Sequence, residues 1–361
     1  MTTRMTAAQI DAAEAADILS PKQAKAMRAE LVAAEPTASP KAPAAPSDAV
    51  IGNEDNLRFL RSFGDVFIGV GLFLLALGVS AVVALLGGGP IFLLAAAGAY
   101  ALAEYFGRHK RAHFPTLITA FVFLVYVQTG LSSLGFMNGV TAALIAVATM
   151  AAFYARIRLP FCIALIAISL LSLLFTLLAK IMPDMQYSQF GFALILSGLT
   201  IFTVALLYDI QDTHRRTRFA DNAFWLHLLS APLIIHGLVG LAVLGKTDMV
   251  LNILPAVEFS QTDAAIILVA TLVITVMGLA INRRALIVSS LGYAGLAIGF
   301  LIQQTDADIG STLAITLVIL GAAIVLLGVA WHPVRNQLIR VLPQWRVFPP
   351  PYVPLETAPQ T

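Results

Sequence analysis

Two histidines, His227 and His236, sit inside one long apolar run of a chain whose other apolar runs hold few ionisable groups. An ionisable group at membrane depth points by default to a proton relay, an ion path or a substrate contact. Asp221, Trp225 and Pro232 lie in the same run. The histidines are nine residues apart, so on a helix they face nearly opposite directions and cannot chelate one metal from that helix. Asp221, Trp225, Pro232 and His236 do share a stripe. Pro232 removes one backbone hydrogen bond, which predicts a kink near Leu228. The chemistry open to this set is a relay for protons or a small substrate. The plainer reading is two neutral histidines hydrogen bonded to neighbouring helices.

A second group, Asp209, Asp212, His214 and Asp221, stands beside Arg215, Arg216 and Arg218. Carboxylates with an imidazole are acceptable cation ligands. However, Asp221 suits the N-cap of the following helix, and the others can pair with the arginines. Gln128 and Thr129, just before Gly130, suggest a local irregularity in their helix. Gly240 to Thr247 matches the GxxxxGK[ST] phosphate loop, but it closes an apolar run and lacks the strand–loop–helix setting that the mechanism needs. The chain contains no HExxH, CxxC or GxSxG, and no GxGxxG in a strand–helix setting. No catalytic set, cofactor or metal site is expected, and this weighs against an enzyme.

The elements that carry these residues follow from composition. Hydrophobic residues make up 59% and charged residues 12% of the 361, against about a quarter charged in ordinary soluble proteins. Runs of about 20 apolar residues cross a hydrocarbon core as helices. Ten such segments are read, at about 63–86, 90–106, 114–135, 139–155, 159–182, 189–209, 222–245, 263–281, 285–302 and 309–330. The expected fold is an all-α polytopic membrane helix bundle of about ten transmembrane helices, occupying 51–330. With the leader inside, 20 of the 22 lysines and arginines fall on inside segments and only Lys180 and Lys246 fall outside. By the positive-inside rule, both termini are expected in the cytoplasm.

Before the first span, two Ala-rich helices at about 6–17 and 21–34 form a cytoplasmic hairpin too small to hold a core alone. The second is started by Ser20, Pro21 and Gln23. Residues 35–50, with four prolines, read as a linker. A surface helix turn is expected around Leu57 to Phe63. After Ala330 come an interfacial segment and a Pro-rich tail, 331–361. Cys162 is the one cysteine, so no internal disulfide forms. The net charge of +2 is small, and no nucleic-acid partner is expected.

Small residues let membrane helices approach closely. Gly64, Gly71 and Gly78, then Gly191 and Gly198, then Gly321 and Gly328, recur every seven residues, and each set predicts a packing seam. Gly295 and Gly299 add a GxxxG pair. The loops RHKRAHF (108–114) and HRRTRF (214–219) each precede a span of the same direction, four spans apart. A parallel repeat would produce this, although basic loops are expected on that side in any case.

The stretches YDIQDTHRRTRFADNAFWLHLLSAPLIIH (208–236) and INRRALIVSSLGYAG (281–295) resemble uncharacterised multi-pass inner-membrane proteins of bacteria. Related families also carry a short N-terminal helical hairpin like that at 6–34. The resemblance implies a bacterial inner-membrane location and carries no activity with it. Two functions are open. One is a non-enzymatic interaction or envelope-associated protein that meets the lipid bilayer and a protein partner of its N-terminal hairpin. The other is a small-molecule or ion transporter with a pathway beside Trp225, His227, Pro232 and His236, joined by Asp209 or Gln128.

Overall fold

The computed structural model describes residues 7–16, 18–34, 63–135, 137–185, 187–212, 215, 217–242, 249–250, 254–255, 260–305 and 307–342. The chain divides into two compact units, residues 1–48 and 49–361. The first contains α1 (Ala7–Ala15) and α2 (Pro21–Ala34), packed on each other. Ser20 starts α2 as expected: its backbone N–H donates to Gln23 Oε1 at 3.1 Å. The linker, the turn around Leu57, the Lys246 loop and the Pro-rich tail lie outside the described residues.

Among its described residues, the second unit is an all-α bundle of ten helices: α3 (Phe63–Leu85), α4 (Ile91–Glu104), α5 (His113–Ser132), α6 (Gly139–Ile157), α7 (Phe161–Ile181), α8 (Tyr187–Gln211), α9 (Arg218–Ala242), α10 (Gln261–Ala280), α11 (Arg284–Gln303) and α12 (Ile309–Val341). Among the described residues, nine of these are long and apolar enough to cross a membrane. The exception, α4, has 14 residues and runs on into a π turn, Tyr105–Lys110. Between α9 and α10, Met249–Val250 and Leu254–Pro255 form a two-residue antiparallel ladder.

The two ends of the bundle start their helices differently. At one end, side chains cap: Asn138 before α6, Ser260 before α10 and Asp308 before α12 each accept from backbone N–H groups of the first turn. Asn138 Oδ1 takes Val140 N at 3.0 Å and Thr141 N at 3.2 Å. Asn138→Ala is expected to cost about 1 kcal/mol, read as a lowered unfolding midpoint of the purified protein. An unchanged midpoint would show that this cap is idle. At the other end, tight turns through the left-handed residues Arg111, Arg158, Arg215 and Asn282 precede α5, α7, α9 and α11. Among the described residues of the bundle, the second end carries the lysines and arginines except Lys180.

Helix α12 does not stop at Ala330. It is 33 residues long, roughly 50 Å against a hydrocarbon core of about 30 Å, and its last part buries Trp331 and Arg335. Trp331 packs at the α10–α11 turn, where its Nε1 donates to Asn282 Oδ1 at 2.8 Å and Arg284 stacks on its ring.

One of the glycine seams brings two helix backbones together. A Cβ on Gly191 would lie 2.8 Å from Gly237 O, and one on Gly198 would lie 2.7 Å from Ile234 Cγ1. The backbones of α8 and α9 touch there, as small residues allow. Gly295 and Gly299 face Leu320 and Thr316 of α12 at ordinary contact distance. Gly71, Gly78, Gly321 and Gly328 face open space, which corrects the expected seams on α3 and α12. A seven-residue repeat marks a helix face, but it does not bring a neighbour to it.

Candidate functional site: a buried ionic knot

Helix α9 packs against α7, α8, α10 and α11. His227 is 0% exposed, and its Nε2 lies 2.8 Å from Asp209 Oδ2 on the last turns of α8. A carboxylate only accepts, so Nε2 carries the proton and donates. Side chains on a helix lean toward its N-terminus. His227, about two and a half turns into α9, therefore reaches back toward the basic end, where Asp209 sits. Arg283, in the α10–α11 turn and 2% exposed, completes the group. Its Nε donates to Asp209 Oδ2 at 3.2 Å and its Nη2 to Oδ1, a bidentate grip that a planar guanidinium makes well.

Further polar ties surround this knot. Arg215, 3% exposed, donates to Ile281 O at 2.8 Å, fixing the loop before α9 to the end of α10. Asp212 Oδ2 accepts from Thr217 N and Oγ1, both at 2.7 Å. Asn222 Nδ2 donates to Tyr154 OH at 3.1 Å, linking α9 to α6. Five charged side chains are buried at this end of the bundle: Asp209, Asp212, Arg215, Arg283 and Arg335.

The residues singled out in the sequence do not form one site. Asp209 and His227 meet, though the expected partners of Asp209 were Arg215, Arg216 and Arg218. The pairing with Arg283 corrects this, because the α10–α11 turn folds under the end of α8. Asp221 lies in the first turn of α9 and is not its N-cap, because the helix begins earlier, at Arg218. His214 lies outside the described residues. His236 is exposed and faces α11, with Nδ1 3.2 Å from Tyr293 OH. Trp225 packs edge-on against Phe161 of α7 at 4.8 Å. Helix α9 continues through Pro232 without a break. Gln128 Nε2 donates to Ala142 O at 3.0 Å, tying α5 to α6, and α5 runs regularly to Ser132 in place of the expected irregularity. Gly130 there is packed against Leu93 of α4.

Arg283, Asn222, Trp331 and Arg335 were not picked out. Only Asn282 carried a local signal: an asparagine just past an apolar run favours the left-handed residue that ends a helix. Among the described residues, no three His, Cys, Asp or Glu side chains converge as a metal site would need. Among the described residues, three large clefts are apolar. One of about 590 Å³ lies between α7 and α8, one of about 430 Å³ between α3, α4 and α5, and one of about 520 Å³ between α9 and α10. None of the three is lined by His227 or His236. Compared with known proteins, the chain matches no family model, no curated protein and no solved structure.

Proposed function

We propose that this multi-pass membrane protein is a non-enzymatic interaction or envelope-associated protein of a bacterial inner membrane, with both termini in the cytoplasm. On this reading the ionic knot is structural, and contact with a partner falls to the α1–α2 hairpin. One observation carries it: the polar side chains singled out within the spans close on protein. His227 meets Asp209, His236 meets Tyr293 and Gln128 meets Ala142 O. The distribution of lysine and arginine supports the sidedness.

The competing reading is a transporter with its path beside Trp225, His227, Pro232 and His236. Single cysteines along 221–241, placed after Cys162→Ser, decide between them when probed with a membrane-impermeant thiol reagent from each side. The expected result is labelling confined to the first turn of α9, from the cytoplasmic side alone. Labelling that runs along one helix face up to position 236 would replace this reading with the transporter. Labelling of the first turn from the outside would reverse the sidedness.

A further inference from the structure

The packing order of the bundle occurs twice. Helix α3 packs on α5, α4 runs along α5, and α6 runs along α7; then α7 packs on α9, α8 runs along α9, and α10 runs along α11. The left-handed residues recur in step, Arg111 and Arg158 in the first set and Arg215 and Asn282 in the second. An acid in the last turns of α4 meets an arginine at the end of α6, as Glu104 does Arg156. Asp209 of α8 meets Arg283 after α10 in the same way. Each set also leaves an apolar crevice in the same place. The first lies between α3 and α4 on a floor of α5, the second between α7 and α8 with Leu226 of α9 at its floor.

We propose that the α7–α8 crevice binds one acyl chain of an anionic phospholipid, with the head group at the end marked by Arg158 and Arg218. The two helices are consecutive yet their backbones stay apart, bridged near one end by Phe175 against Phe190 at 4.9 Å. The crevice between them extends from Leu178 and Phe192 to Ile163 and Tyr208. Fifteen residues of α7 make it roughly 22 Å long, enough for a chain that fills one leaflet of a core about 30 Å thick. Its volume of about 590 Å³ over that length gives a cross-section of roughly 27 Å². A helix about 10 Å across has a cross-section of roughly 80 Å², so the crevice is narrower than a whole helix and on the scale of a single hydrocarbon chain.

The walls suit such a chain. Ser197 and Thr200 spend their hydroxyls on Ala193 O and Leu196 O of their own helix, so the lining makes no polar demand. At the basic end, Tyr208 lines the crevice and the Phe161–Trp225 pair stands beside it, as aromatics do at head-group depth. Arg158, in the turn that opens α7, and Arg218, the first residue of α9, are both exposed there. They supply positive charge to an anionic head.

The test is native mass spectrometry of the full chain in mild detergent, with palmitoyl-oleoyl phosphatidylglycerol or its phosphatidylcholine counterpart added. The expected result is one phosphatidylglycerol that survives activation strong enough to strip looser lipids. Ala193→Phe, which fills the crevice, should lower its retention. Arg158→Asn with Arg218→Gln should lower it by roughly tenfold while phosphatidylcholine binding stays level. The exposed arginine pair decides the matter if Ala193→Phe does not fold. Equal retention of both lipids by the native chain, or retention unchanged in the arginine variant, overturns the proposal. So does a dimer whose formation Ala193→Phe abolishes.

Discussion

Asp209→Asn is expected to lower the stability of the purified protein by about 3–5 kcal/mol, because it leaves the Arg283 guanidinium buried without the charge that it grips. Denaturant or thermal unfolding in a fixed detergent would show this as a large drop in midpoint. The equivalent tie in the first helix set gives the control. Glu104 bonds Arg156 at 2.8 Å and also Arg108, but both arginines are about half exposed. Water screens that tie, and Glu104→Gln is expected to leave the midpoint unchanged. Asp209→Asn combined with Arg283→Gln should recover part of the loss, since no bare charge remains in the interior. If the Asp209 and Glu104 variants behave alike, the knot does not hold the bundle and the burial argument fails.

Gly237→Ala is the second large effect. The new methyl would lie 2.6 Å from Gly191 O and 2.8 Å from Ile195 N, and both of these are backbone atoms that cannot turn aside. Helices α8 and α9 must move apart, and overpacking of this kind costs about 1–3 kcal/mol. The shift would also move Asp209 relative to His227, which α8 and α9 hold together. By contrast, Gly78→Ala and Gly321→Ala meet nothing within 4 Å. They should be neutral, or slightly stabilising through the better helix propensity of alanine. A Gly237→Ala protein as stable as these two would mean that the seam is looser than its geometry states.

The membrane class was legible because it rests on lengths and on local chemistry. Apolar runs and the Ser20 cap follow from residues near one another in the chain. The knot was half legible. Asp209 and His227 each stood out as rare ionisable groups among apolar neighbours. Arg283 did not, because arginines at the ends of spans are common and only tertiary packing buries this one, 74 positions from its partner. The glycines show the same limit from the other side. Gly191 and Gly321 belong to identical seven-residue patterns, yet one touches backbone and the other touches nothing. Periodicity specifies a face; the neighbour that meets it is a property of the whole fold.

The reach from Asp209 to Arg283 also has a meaning in time. A chain made at about 5–20 residues per second exposes the Asp209 carboxyl roughly 4–15 s before its guanidinium partner is synthesised. During that interval α8 and α9 hold the carboxylate beside the imidazole, without the guanidinium. The tight glycine seam lets that pair of helices close first, keeping Asp209 beside His227 as a waiting half-site. Arrival of the α10–α11 turn then acts as a latch, so the order of synthesis is also the order in which this half of the bundle becomes permanent.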